Sequence, residues 1–193
     1  MLSLDALIRE AEIAHGHLCA GQILGVRLAM LGLAKLGIED PRGKDRKRLV
    51  TFVEIDRCAT DAIGVVTGCR LGKRALKFRD WGKMAATFVD LETGKAIRIA
   101  ARESSKKLAR EMHPEIESKN QQQMLAYREM KDDDLFSTQW VKVDLPAEEF
   151  PGYKGDRIVC AQCGEGINFR REVERGGRVL CRACAGEKYY QPM

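Results

Sequence analysis

The chain has no apolar run long enough to cross a bilayer. Its longest, Gly21 to Gly37, is interrupted by Arg27 and Lys35, short of the roughly 18 to 20 uninterrupted apolar residues a span requires. A transmembrane protein is thereby excluded, and no membrane partner is expected. The first residues do not read as a secretory leader either: Met1 to Glu12 carry Asp5, Arg9, Glu10 and Glu12 on an amphipathic pattern, where export needs a basic start followed by an apolar block. The expected compartment is the cytoplasm. Nor is there charge of one sign. Thirty-three Lys and Arg against 28 Asp and Glu leave a net +5, a mixed surface that permits nucleic-acid binding without indicating it. Internal repeats, low-complexity tracts and the Cys-x2-Cys-x2-Cys-x3-Cys run of bacterial ferredoxins are all absent, and the last absence removes a ferredoxin-type cluster.

What is present suits a globular chain of one full domain and a small appendage. Of 193 residues, 45% are hydrophobic and 32% charged, enough apolar surface for a buried core. Ser3 is placed to cap a helix whose apolar face is Leu4, Leu7, Ile8 and Ala11. His15 to Gly21 then reads as a loop, and Gln22 to Leu36 as a second helix. Along that helix Gly21, Gly25, Ala29 and Gly32 form a thin stripe that another backbone can approach, within one chain or across a dimer. After a basic connector from Pro41 to Arg48, strands are expected at Leu49–Ile55, Ala75–Arg79, Ala85–Leu91, Ala96–Ala101 and Gln139–Leu145. Ala59–Thr67 reads as a short helix with Thr60 or Asp61 near its start. Two more helices fill Glu103 to Met130, broken near His113-Pro114 because proline disfavours helix at the residue before it. The order predicts an α+β class: a mixed helix and antiparallel-sheet core over residues 1–150 and a C-terminal module over 151–193.

That module carries the strongest chemical signal. Cys160-x2-Cys163, seventeen residues, then Cys181-x2-Cys184 is four-thiolate zinc spacing, in which two short loops each present two sulfurs to one tetrahedral ion. Iron is the competing metal, and zinc is preferred. Gly176-Gly177 before Arg178-Val179-Leu180 suits a hairpin, and a helix is expected to begin near Cys184; knuckle, hairpin and helix resemble a treble-clef finger. With few large apolar groups in 43 residues, the metal supplies much of the module's stability. Eight basic residues against five acidic ones give it a net +3, and Arg170, Arg171, Arg175, Arg178 and Arg182 are a candidate surface for phosphates or a protein. Aromatics for base stacking are few, essentially Phe169, Tyr189 and Tyr190, which argues against single-strand recognition.

The other three cysteines lie at breaks in regular structure. His15-Gly16-His17-Leu18-Cys19 puts two imidazoles and a thiol in five residues, and on an extended segment His17 and Cys19 point to one side. Cys58 follows a strand and precedes a helix, where first-turn amides favour its thiolate. If strand and loop adjoin, His17, Cys19 and Cys58 form a soft-metal site for zinc, nickel or iron, or a redox pair. The alternative is that they are small buried hydrophobes, the reading preferred for Cys69.

Four ordered blocks then suggest a family: His15-Gly16-His17-Leu18-Cys19-Ala20-Gly21 with Gly25 and Arg27; Glu54 to Ile63; Thr67 to Lys73; and Gly82-Lys83-Met84-Ala85. Together with the four-cysteine tail they resemble the E-subunit family of formylmethanofuran dehydrogenase. The resemblance implies an α+β core, a zinc-binding tail, a homodimer and a cleft around the histidine-cysteine loop. By position the cleft residues are His17, Cys19 and Cys58, with Asp61 and Lys83 nearby. The family's usual proline after the first cysteine is Ala20 here, so the loop loses a φ restraint. Formylmethanofuran dehydrogenase chemistry needs a molybdenum or tungsten pterin and iron-sulfur relays, which this chain cannot house.

The expected role is therefore that of a metal-binding accessory protein linked to one-carbon redox metabolism, with a protein partner in a redox complex. Its tail would hold structural zinc, and its core a second transition metal or an active site of His17, Cys19, Cys58 and Asp61. In an enzyme, Cys58 or Cys19 acts as nucleophile or ligand, His17 as ligand or base, and Asp61 as the orienting group. The alternative is a zinc-finger module that recognises nucleic acid or a protein, the core serving dimerisation.

Overall fold

The computed structural model describes residues 2–193 and divides into two compact units, Met1–Asp144 and Leu145–Met193. The first is a five-stranded sheet packed against helices. Helix α1 (Leu4–His15) starts where the Ser3 side chain accepts the Ala6 amide, and Gly16 at φ 93° ends it. Helix α2 (Ala20–Leu36) is apolar nearly all round and buried, as a helix threaded through a core must be. Strand β1 (Leu49–Val53), helix α3 (Cys58–Thr67), strands β2 (Leu76–Phe78), β3 (Ala85–Asp90) and β4 (Ala96–Ala101), helices α4 (Ser104–Met112), α5 (Lys119–Glu129) and α6 (Asp132–Leu135) and strand β5 (Phe136–Val141) complete the unit.

The strand order is β2-β1-β3-β4-β5, antiparallel throughout except for β2, which joins β1 in parallel. Register decides which side is apolar. Phe88 faces Ile97, and Ala86 faces Ile99; these four belong to the main core with Leu49, Val53 and Phe136. The same face receives α2, because a β-carbon on Gly32 would sit 2.3 Å from the Phe88 ring. On the opposite face Arg98 reaches Glu54 through two bonds of 2.7 Å.

The small-residue stripe of α2 is occupied inside the chain. A β-carbon at Gly25 would lie 2.5 Å from the Ala59 carbonyl oxygen, and one at Gly21 would lie 3.5 Å from Cys58 Cβ. The stripe therefore sets α2 against α3 and carries no argument for a dimer. Cys69 is 3% exposed within the core, with the Thr51 hydroxyl 3.5 Å from its sulfur. Arg27 leaves α2 to donate to the Tyr127 and Met130 carbonyls at the end of α5 and to Asp132.

Several elements differ from expectation. Helix α3 begins one residue early, with Arg57 as its N-cap, while the Thr60 hydroxyl bonds back to the Ile55 carbonyl and so is not the cap. Strand β5 begins at Phe136, three residues before the alternation suggested, because Ala101 pairs with Phe136 and draws it into the ladder.

In the second unit β6 (Ile158–Val159) pairs with β7 (Gly166–Ile167), and β8 (Val173–Arg175) with β9 (Arg178–Leu180). Gly176 and Gly177 both take positive φ, as the two-residue turn of a tight hairpin demands. The helix expected near Cys184 is not formed: turns follow, and Gly186 at φ 109° leaves the helical region. Cys160, Ile167, Leu180 and Ala185 make a small core of their own. No helix among the described residues is long and apolar enough to cross a membrane.

Candidate functional site

Each unit gathers chemistry-bearing side chains at one place. In the second, Cys160 and Cys163 lie in the turn between β6 and β7, and Cys181 and Cys184 follow β9. Their four Sγ atoms lie within 4.8 Å of one another, and those of Cys163 and Cys181 are 3.9 Å apart. A tetrahedral zinc with Zn–S distances of about 2.3 Å needs sulfurs roughly 3.8 Å apart, so the donor set fits the ion as it stands. The Cys181 amide donates to Cys160 Sγ at 3.2 Å, and the Cys184 amide to Cys181 Sγ at 3.4 Å. Amides of Cys163, Cys181 and Gln162 pull the Cys160 thiol down to about 6, whereas the neighbouring Cys181 thiol, followed by burial, pushes Cys184 up to about 12. Sulfurs this close share protons, and a bound cation displaces those protons. Four sulfurs would leave a bound zinc no open coordination position, which is the donor arrangement of structural sites.

In the first unit Cys19 is the N-cap of α2 and Cys58 the first residue of α3. The contact of α2 with α3 at Gly21 brings them together. A β-carbon there would lie 3.5 Å from Cys58 Cβ and 3.7 Å from Cys19 Sγ. Burial, and then the hydrogen bond with Cys19, push the Cys58 thiol up; its own backbone amide and the Arg57 charge pull the other way and do not offset them. This corrects the expected thiolate: desolvation at the helix start outweighs the first-turn amides.

His17 does not join the two thiols. Among the described residues, no other three His, Cys, Asp or Glu donors gather as the tail cysteines do. The exposed His17 ring lies instead against that of His15, centroids 4.7 Å apart. Asp61 is taken by His15, whose Nδ1 is 2.8 Å from Asp61 Oδ2. Lys83 is exposed, its Nζ 5.9 Å from the centre of the Trp81 ring.

Cys19 and Cys58 open onto a cavity of about 510 Å³. His17, Asp61 and Lys83 are not on its wall, whereas Arg57 is, together with Arg102, Ser105, Lys106, Asn120 and Tyr127, which no motif marked. Asn120 Oδ1 accepts the Ala20 amide at 3.2 Å, tying α5 to the start of α2 across a hundred residues of sequence. Only Arg57, inside the Glu54 to Ile63 block, carried any sequence signal.

Comparison with known proteins now decides the family. Residues 14–137 match the family described as FmdE, molybdenum formylmethanofuran dehydrogenase operon. The chain belongs to the FmdE family. Residues 153–190 of this FmdE-family chain match the prokaryotic DksA/TraR C4-type zinc finger. A protein of Archaeoglobus fulgidus, named a probable S-adenosyl-L-methionine-binding protein, is 30% identical over 208 aligned positions. That match takes in 96% of this chain and 54% of the relative, so the chain spans about half the relative's length. The fold is shared with the crystal structure of a tungsten formylmethanofuran dehydrogenase FmdE-like protein from Syntrophus aciditrophicus. The TM-score is 0.66 at 22% identity, over 98% of this chain and 96% of that one.

Proposed function

We propose that the core is a small-ligand-binding module in the service of one-carbon redox metabolism, working through the cavity beside Cys19 and Cys58. The observation that carries this is the pair of neighbouring thiols on the wall of a cavity of about 510 Å³, a size that suits a metabolite. Family membership supports the metabolic setting. The name of the Archaeoglobus fulgidus relative supports a ligand of the size and kind of S-adenosyl-L-methionine.

The two thiols also suit a soft transition metal, with further ligands coming from the bound molecule. The test is calorimetric titration of the full chain with S-adenosyl-L-methionine, alongside metal analysis of wild type and the Cys19→Ser/Cys58→Ser double variant. Saturable binding that the double variant weakens supports the ligand site, and a second metal lost in that variant adds the ion. No binding, with equal metal in both proteins, overturns the reading.

Two partner proposals accompany it. A homodimer predicts a mass near twice 21.7 kDa in light scattering; the mass of one chain overturns it. The exposed Arg170, Arg175 and Arg182 of the tail favour a second reading, in which the tail docks an acidic protein or nucleic acid. Heparin retention that falls steeply with salt supports this, and no retention at low salt refutes it.

A further inference from the structure

The cavity's wall says what kind of group it takes. Three helices begin on it: α2 contributes Cys19, Ala20 and Gly21, α3 contributes Arg57, Cys58 and Ala59, and α4 contributes Ser105 and Lys106, next to its N-cap Glu103. None of the three N-cap side chains makes a capping hydrogen bond. First-turn amides have no partner within their own helix and carry the positive end of its dipole. Asn120 takes the Ala20 amide, and the Gly21 and Ala59 amides meet no acceptor among the described residues.

Side chains independently add to this field. Arg57, Arg102 and Lys106 are on the wall, with Glu103 as its one carboxylate, and Glu103 is paired with Lys106 at 2.6 Å. Arg102 is anchored through Nε to the Phe136 carbonyl at 3.0 Å. Tyr127, also on the wall, is 2% exposed, yet its hydroxyl finds only Ser105 Oγ at 3.5 Å. Ser105 spends its own proton on the Arg102 carbonyl at 2.7 Å, which leaves its Oγ to accept the phenol proton of Tyr127 only across a long 3.5 Å. A buried hydroxyl held by so long a bond gains by turning to a closer acceptor on a ligand in the cavity.

We infer that the cavity is an oxyanion site, which holds a carboxylate or phosphate group of its ligand where the starts of α2, α3 and α4 converge. Tyr127 donates to that group, Arg57 and Arg102 neutralise it, and the rest of the ligand extends toward Cys19 and Cys58. The inference rests on the cavity being the ligand site and adds the charge of the group bound there.

The test is protection of Cys58 from alkylation in the zinc-loaded full chain, read by mass spectrometry. The probes are succinate for the carboxylate, inorganic pyrophosphate for the phosphate, and succinamide as the neutral control. Saturable protection by either anion and none by succinamide is expected, and the anion that protects identifies the class. Arg57→Gln, at an exposed position, and the near-isosteric Tyr127→Phe should each weaken protection about tenfold, the loss of one hydrogen bond to a charged group. Anion protection equal in wild type and both variants refutes the site. Protection by succinamide alone, or binding of S-adenosyl-L-methionine that both variants leave intact, overturns the oxyanion inference while the cavity stands. No effect of any of these ligands on Cys58 removes the cavity reading and this inference together.

Discussion

His15 Nδ1 lies 2.8 Å from Asp61 Oδ2 and ties the end of α1 to the first turn of α3. The pair separates two groups that adjacency in the motifs had merged. Asp61 belongs to a helix-to-helix tether, and the thiols of Cys19 and Cys58 belong to the cavity. Because the Asp61 side chain is 59% exposed, the tether contributes little. Asp61→Asn should cost under about 1 kcal/mol in urea unfolding and leave the rate of Cys58 alkylation unchanged. A large fall in that rate would return Asp61 to the thiol site.

The part of the fold legible in the sequence was the part set by local pattern. Ser3 as a cap and Ala96–Ala101 as a strand both follow from residue types over a few positions. The four tail cysteines were legible because zinc fixes their spacing. The cavity was not, because Asn120 and Tyr127 come to the wall that Cys19 lines only through packing across about a hundred residues, and neither stands in a motif. The Cys58 thiol was misjudged for a related reason: the sequence shows a helix start, while burial and Cys19, which push the thiol up, come from tertiary structure. The place of His17 was not legible either, because alternation along residues 17–19 says nothing of the His15 ring that it meets.

On the sheet face away from α2, Glu54 is 2% exposed and accepts two bonds of 2.7 Å from Arg98. A buried carboxylate held by a side-on guanidinium is costly to halve, because the remaining charge keeps its desolvation penalty without its partner. Glu54→Ala should destabilise the core by about 3 kcal/mol, and Glu54→Ala/Arg98→Met by clearly less than the sum of the two single changes. Additive losses in that double-mutant cycle would show that the pair is not coupled.

Acid should act through Asp90, which is 1% exposed at the end of β3. Burial alone would raise its carboxyl, but bonds from Arg48 at 2.8 Å, the Thr93 hydroxyl at 2.8 Å and the Glu92 amide at 3.0 Å more than offset this and hold it below its ordinary 3.8. A depressed folded-state value means that the unfolded chain binds the proton first. The stabilisation is therefore complete above the ordinary value and is lost as pH falls through it toward the folded one. Urea midpoints measured downward from pH 5 should decline more steeply in wild type than in Asp90→Asn, which begins lower. Parallel profiles would assign acid sensitivity to other carboxylates.

Zinc removal tests the division of labour between the two units. The tail's own core is Cys160, Ile167, Leu180 and Ala185, and two of its four strands are two residues long. So little apolar burial does not offset the entropy of ordering the segment, and the ion must supply the difference. The first unit has a continuous core from Leu7 to Phe136 and no share in the tail's ligands. Chelation of the full chain, or Cys181→Ser, should release one zinc and strip amide-exchange protection from residues 158–185, leaving α2 and β3 protected as before. Protection that persisted around Leu180 after the metal had gone would mean that the tail folds on packing alone, and the four thiols would then need a purpose other than structure.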